Sequence, residues 1–211
     1  MNVAELQTAI RDRGYEADTA ETQLGLLNSI QRRVAGKRRW EWTLTDTNVT
    51  LVAGAVEYVL PADLSRIVAV ELTSGSVLVS VDTSSMRSIT RLYGSRTGTP
   101  THWAKLSSNT IRVWPQPAGG SDALVLSYHR QAPLLVENDD VPIMPPEYHD
   151  ILVVGACEIM AQRERQFDAA QVFGAERRER TMEMEGADGI KERQTPSRVV
   201  SSGFYERSGV M

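Results

Sequence analysis

Apolar positions recur at three- and four-residue steps near both ends of the chain and alternate with polar ones through its middle, which predicts helices flanking strands. Val3, Leu6 and Ile10 share a face of a helix predicted over residues 2–13; Asn2 and Glu5 fit a capping box, and Gly14 supplies the stop. A second helix is predicted from near Asp18, again with a carboxylate three residues on (Glu21), and Leu24, Leu27, Ile30 and Val34 form its stripe. Gly25 inside it costs about 1 kcal/mol of helix propensity. Far downstream, Pro145-Pro146-Glu147 opens the last long helix, with proline where a missing N–H costs nothing and acid in the first turn. Leu152, Ala156, Ile159, Arg163, Phe167, Ala170 and Phe173 recur along it, and Gly155 and Ala156 are small enough to let another helix come close. The pattern predicts a bend or stop near Gly174, a charged continuation over residues 176–185 and an end by Gly186, the stripe packing on the two N-terminal helices.

Between these helices the period is two. Trp40-Glu41-Trp42 marks the change, and two tryptophans two apart lie on one side of an extended chain, better suited to packing than to stacking on a ligand. Residues 48–52 and 56–60 flank Ala53-Gly54 as a predicted hairpin closed by Pro61. Residues 67–72 and 77–81 form a second around Ser74-Gly75. Residues 84–94 fit a short helix or a loop equally, with Met86, Ile89 and Leu92 at helical spacing. Residues 101–106 pair with 110–114 around Ser107-Ser108-Asn109, and residues 115–120 are a loop. The strand that follows, Ala123–Arg130, carries Leu124, Leu126 and Tyr128 on one face. Short strands with turn signals every ~8–12 residues predict a sandwich or small barrel.

The fold expected is α+β: a helical bundle (residues 1–39 and 145–186), an inserted antiparallel β-sandwich or barrel-like module (40–144), and an extended C-terminal arm (187–211). The arm has no period and could not bury enough to order alone. It nonetheless holds Val199, Val200, Phe204 and Tyr205, which fits a segment that orders by docking onto another chain.

Composition narrows the function by exclusion. With 211 residues, 41% hydrophobic and 24% charged, the chain can build a sizeable core. No apolar run approaches the ~20 residues of a membrane helix, so no membrane partner is expected. The polar, amphipathic start argues against a secretory signal. The single cysteine, Cys157, excludes an intramolecular disulfide and fits a reducing compartment. A net charge of −4 gives no global pull toward nucleic acid. Arg32, Arg33, Lys37, Arg38 and Arg39 crowd the end of the second helix, where solvated cations complement its dipole; an acidic partner protein would suit them too. With Trp40 and Trp42 they are the candidate subunit or partner contacts. Glu137-Asn138-Asp139-Asp140 lacks the glycine and distal glutamate of a calcium loop and reads as turn chemistry. No glycine-rich phosphate loop, HExxH or GxSxG is present, His102, His129 and His149 are scattered, and Cys157 sits in an apolar helical run as an inert thiol. No catalytic, cofactor or metal site is expected, and no enzyme.

One ordered set of short motifs is informative. After the Trp40/Trp42 pair come Leu60-Pro61, Gly98-Thr99-Pro100, Ile111-Arg112-Val113-Trp114-Pro115-Gln116-Pro117, a strand ending near Tyr128, Asp139-Asp140-Val141-Pro142, and Pro145-Pro146-Glu147-Tyr148. In that order, over roughly residues 20–165, the chain resembles the head-to-tail adaptor (connector) proteins of tailed bacteriophages, a group that includes tail-tubular and gatekeeper-type adaptors. The resemblance implies a structural virion protein assembled in the host cytoplasm. It implies a ring, commonly of twelve copies, beneath the portal protein, extending the DNA channel and offering a docking platform to a tail or stopper protein. A C-terminal segment would reach the portal; here that is residues 187–211, anchored by Val199, Val200, Phe204 and Tyr205, and removing it should abolish portal binding. A mildly acidic ring suits a lumen through which DNA passes without specific binding, since many phosphate contacts would retard it. Many weak arms add up through multivalency. The alternative is a β-sandwich recognition module for a carbohydrate or receptor with Trp103 and Trp114 as platform; a hydrolase using His149 or His102 stands behind both.

Overall fold

A computed structural model of the chain describes residues 1–119 and 122–194, and side chains as far as Asp188. α1 (Val3–Arg11) opens with the predicted capping box: Asn2 Oδ1 accepts the Glu5 amide at 2.9 Å and Glu5 Oε2 accepts the Asn2 amide at 3.0 Å. α2 (Ala20–Lys37) is capped one residue later than predicted, by Thr19, whose Oγ1 accepts the Thr22 amide at 3.2 Å. Leu26, Leu27, Ile30 and Val34 form its buried stripe, and Leu24 is half-buried. Two glutamines share that face because both find backbone partners. Gln23 Nε2 donates to the Tyr15 carbonyl at 3.2 Å, and Gln31 donates to the Pro133 carbonyl at 2.8 Å.

α4 (Asp150–Arg163) follows a 3-10 turn at Pro146–Tyr148 and is buried on almost every side, as expected of a helix that is apolar all round. It packs against α1, α2 and the antiparallel α5 (Phe167–Gln194). The predicted close approach at Gly155 is real: a Cβ there would lie 3.1 Å from both Ile30 Cδ1 and Arg177 Cδ. Two expectations are corrected. The helix breaks at residues 164–166, where Arg165 takes φ 60°, and runs unbroken through Gly174. Gly174 serves closeness, since a Cβ would sit 2.9 Å from Glu158 Oε1 of α4. The break also turns Phe167 off the stripe, leaving it 63% exposed. Second, α5 continues past Gly186 to Gln194, so residues 187–194 are helix and not the start of an extended arm.

The strands form two main sheets. One is antiparallel, ordered β1 (Leu44–Thr50), β9 (Ala123–Arg130), β3 (Leu64–Leu72). The other is ordered β2 (Glu57–Val59), β7 (Thr110–Trp114), β6 (His102–Lys105), β4 (Val79–Ser80). Leu124, Leu126, Tyr128, Val70 and Leu72 face Tyr58, Trp103, Ile111 and Val113 across a single core. The β6–β7 pairing falls as the sequence suggests. The long pairings are antiparallel as expected; two short ones are parallel, β4 with β6 and β5 (Thr97–Gly98) with β8 (Gln116–Pro117), the latter strand inside the predicted loop.

Neither early hairpin forms as drawn. The turn near Gly54 sends β1 and β2 into different sheets, a corner closed by Tyr58 Oη, which lies within 3.3 Å of the Val52 and Ala55 backbone. At Ser74-Gly75 a tight turn does form, but pairing stops after Glu71↔Val77 and the chain crosses to β6. Residues 83–93 are helical: α3 (Thr83–Tyr93) begins where Asp82 accepts the Ser85 amide at 2.9 Å.

The fold is therefore α+β, four helices around one core and a β-sandwich around another. The acidic turn ties them. Asp140 Oδ2 accepts the Val136 and Glu137 amides, while the Asn138 and Asp140 carbonyls accept the Ala4 and Val3 amides at 3.1 and 3.0 Å. Its carboxylate holds its own loop, and its backbone caps α1.

Candidate functional site

The candidate contacts converge where α2 ends, the tryptophan pair begins and α5 passes overhead. The chain leaves α2 extended at Arg38 and then makes a 3-10 turn at Glu41–Thr43 in place of the predicted extended run. That turn drops Trp40 into the helical core, fully buried, where its Nε1 donates to the Val34 carbonyl at 2.7 Å. The indole thereby gives a carbonyl in the last turn of α2 a side-chain partner. Trp42 stacks on Trp40 with centroids 5.8 Å apart and reaches the surface. As a partner contact Trp40 is ruled out by its burial; Trp42 remains.

The five cations divide. Arg38 lies over the Trp40 ring at 5.1 Å, donates to the Glu185 carbonyl at 3.2 Å and faces the Asp188 carboxylate at 3.5 Å. Lys37 Nζ meets Glu185 Oε1 at 2.6 Å. These two do not stand merely solvated at a helix end; they hold α5. Arg32, Arg33 and Arg39 are exposed, as is most of Lys37. Asp188 is the residue sequence reasoning missed. It is buried, and its other oxygen accepts the Glu41 amide at 3.1 Å, so one carboxylate joins α5 to both sides of the turn. No local pattern marked it, because its partners, Arg38 and the Glu41 amide, lie about 150 residues earlier in the chain.

Beside this joint lies a groove of about 460 Å³ lined by Arg39, Glu41, Leu44, Arg66, His129 and Asp188 among others. Burial, then the Arg39 and Arg66 charges, hold the His129 imidazole below its ordinary value. Thr43 Oγ1 donates its one proton to the Trp40 carbonyl at 2.7 Å, so His129 Nδ1 donates to Thr43 across 2.8 Å. The groove has mixed charge and an imidazole already committed on one side.

The remaining polar candidates are likewise engaged. His149 is fully buried between the Met1 amine on Nδ1 and the Met144 carbonyl on Nε2, both at 2.9 Å. His102 packs against Trp114, with Nδ1 2.8 Å from the Thr101 hydroxyl. Burial pushes the Cys157 thiol up to about 11, far from a nucleophile's range. Among the described residues no group of His, Cys, Asp and Glu is placed to hold a metal ion. Trp103 belongs to the sandwich core and only Trp114 is partly exposed, so the two make no binding platform. Val199, Val200, Phe204 and Tyr205 lie outside the described residues.

A family model described as SU10 adaptor protein matches residues 1–201, almost the whole chain. No curated protein matches it.

Proposed function

The chain belongs to the SU10 adaptor protein family, and from that premise we propose that it is a structural head-to-tail adaptor that forms a ring, commonly of twelve copies, beneath the portal of a tailed bacteriophage. The ring extends the DNA channel, lets DNA pass without sequence-specific binding, and presents a docking platform to a tail or stopper protein during assembly in the host cytoplasm. The observation that carries this reading is the family match over residues 1–201. It accords with the order of motifs from Trp40 to Tyr148, and with the absence among the described helices of one long and apolar enough to cross a membrane. The bundle of residues 1–39 and 145–194 is the body of each subunit, and residues 40–144 are a second lobe. In this reading the docking arm begins after Gln194, since α5 runs to that residue and residues 187 and 188 belong to the joint that Arg38 and Glu41 make with α5.

The test is a truncation after Gln194 mixed with portal-bearing particles and viewed by electron microscopy. The full chain should add a ring of density at one vertex. The truncated chain should stay soluble with unchanged circular dichroism and add none. Substituting Phe204 and Tyr205 by serine in the full chain should reproduce most of the loss. Full-strength portal binding by the truncated chain would overturn the arm assignment, and no added ring with the full chain would overturn the adaptor reading itself.

A further inference from the structure

Net charge hides a segregation of charge. Residues 83–121 hold Arg87, Arg91, Arg96, Lys105 and Arg112 and not one acidic residue. Their +5 within a chain of net −4 leaves −9 on the rest. The fold gathers residues 83–114 of this stretch into one lobe: α3 lies on β6, β6 pairs with β7, and Trp114 Nε1 donates to the Gly94 carbonyl at the end of α3. Arg112 is paired with Glu57. Arg87, Arg91, Arg96 and Lys105 are exposed, and no ion pair engages them among the described residues.

α3 is an unusual helix for a globular fold. Only Met86 is fully buried, and the opposite face reads Ser84, Arg87, Ser88, Arg91, Leu92. Leu92 is 75% and the adjoining Tyr93 61% exposed, with the Tyr93 ring 5.8 Å from Trp114. Arg87 and Arg91 lie about 6 Å apart along the axis. The acid closest in sequence, Asp82, is held well below the usual carboxylate range by hydrogen bonds from the Ser84 and Ser85 hydroxyls and the Ser85 amide, and caps the helix.

From this geometry we propose that the outer face of α3, with Arg96 and Lys105 at its two ends, is a contact surface for the phosphate backbone of duplex nucleic acid. Arginine, serine and tyrosine are the side chains that commonly meet phosphate and sugar, and two cations one helical turn apart match the scale of successive phosphates. Arg87, Arg91, Arg96 and Lys105 have no ion-pair partner among the described residues to hold them in one geometry, which suits phosphate contact independent of sequence. Such contacts exchange along the backbone and are compatible with sliding, which corrects the expectation that phosphate contacts would retard the passage of DNA. A second copy of this chain is the alternative occupant, and the test below separates the two. The inference stands on the charge segregation and does not depend on the ring.

The test is fluorescence anisotropy of the full chain with two labelled 30-base-pair duplexes of unrelated sequence, from 50 to 200 mM salt. Both duplexes should bind equally, with log K falling against log salt at a slope of about −3.6 if all four cations engage, roughly a 100-fold loss across that range. Arg87→Gln/Arg91→Gln should remove about half of that slope, and Arg87→Glu/Arg91→Glu should weaken binding at 50 mM at least tenfold. Arg163→Gln/Arg178→Gln, two exposed arginines of the helical half, should change neither. All three variants should keep the wild-type circular dichroism. Absence of wild-type binding at 50 mM, or equal binding by the Arg87/Arg91 variants, would overturn the proposal. So would variants that bind DNA normally and instead lose self-association in sedimentation, which would assign the face to a second copy of this chain.

Discussion

His149 shows how much a single side chain can be constrained here. Its ring is buried, Nδ1 accepts a hydrogen bond from the Met1 amine, and Nε2–H donates one to the Met144 carbonyl, so the neutral imidazole is the form that fits. Burial, followed by the charge of that amine, holds it below its ordinary value, and burial does the same to His129. In the unfolded chain both would titrate near 6.5. Between that value and the lower folded ones the unfolded state binds more protons, so stability must fall as the pH drops below about 6.5. Thermal midpoints should therefore decline from pH 7 to pH 5. His149→Gln should lower stability at neutral pH by about 1–2 kcal/mol, through the disturbed hydrogen bonds, and make the decline shallower. A decline as steep in the variant as in the wild type would remove His149 from the account.

Among the helices, close approach decides more than propensity does. Gly155 lets α4 press on Ile30 of α2 and on Arg177 of α5 at once. Gly155→Val should overpack that crossing and cost about 1–3 kcal/mol, read as a lower urea midpoint at unchanged slope; an unchanged midpoint would show that the neighbours yield freely. The same contacts explain what was legible beforehand. The capping box at Asn2 and Glu5 and the Leu124, Leu126, Tyr128 alternation are local, and both appear as read. Gly174 misled because a glycine within a helix signals a break in sequence, whereas here it makes room for Glu158. The real break uses Glu164, Arg165 and Gln166, all competent helix formers, and Arg165 accepts a positive φ to turn the chain back. β1 and β2 looked like a hairpin because their turn is a good one. Which sheet each joins depends on β9 and β7, far along the chain, and no local pattern carries that.

Taken whole, the molecule is two cores and a joint. The joint is electrostatic on one side, through Asp188 with Arg38 and the Glu41 amide, and hydrogen-bonded on the other, where Gln31 and Asn28 grip the strap at Pro133 and Leu135. Asp188→Ala leaves the Glu41 amide without its acceptor and Arg38 without its carboxylate. It should cost about 1–2 kcal/mol and speed amide exchange in the last turns of α5 while β9 exchanges as before. Equal acceleration in both halves would mean that the joint does not separate them. The charge map, too, was invisible at the level of composition, because a net −4 averages a basic lobe with an acidic remainder. The clasp of Asn138 and Asp140 on the amides of Val3 and Ala4 has a consequence in time. At about 5–20 residues per second, on the order of ten seconds separate the synthesis of those two ends. For most of that interval α1 and α2 are already made, with their apolar stripe and no α4 to cover it. The β-sandwich must be made, and its last strand delivered, before the first helix can be locked. A growing chain of this design spends its early life with its stickiest surface open.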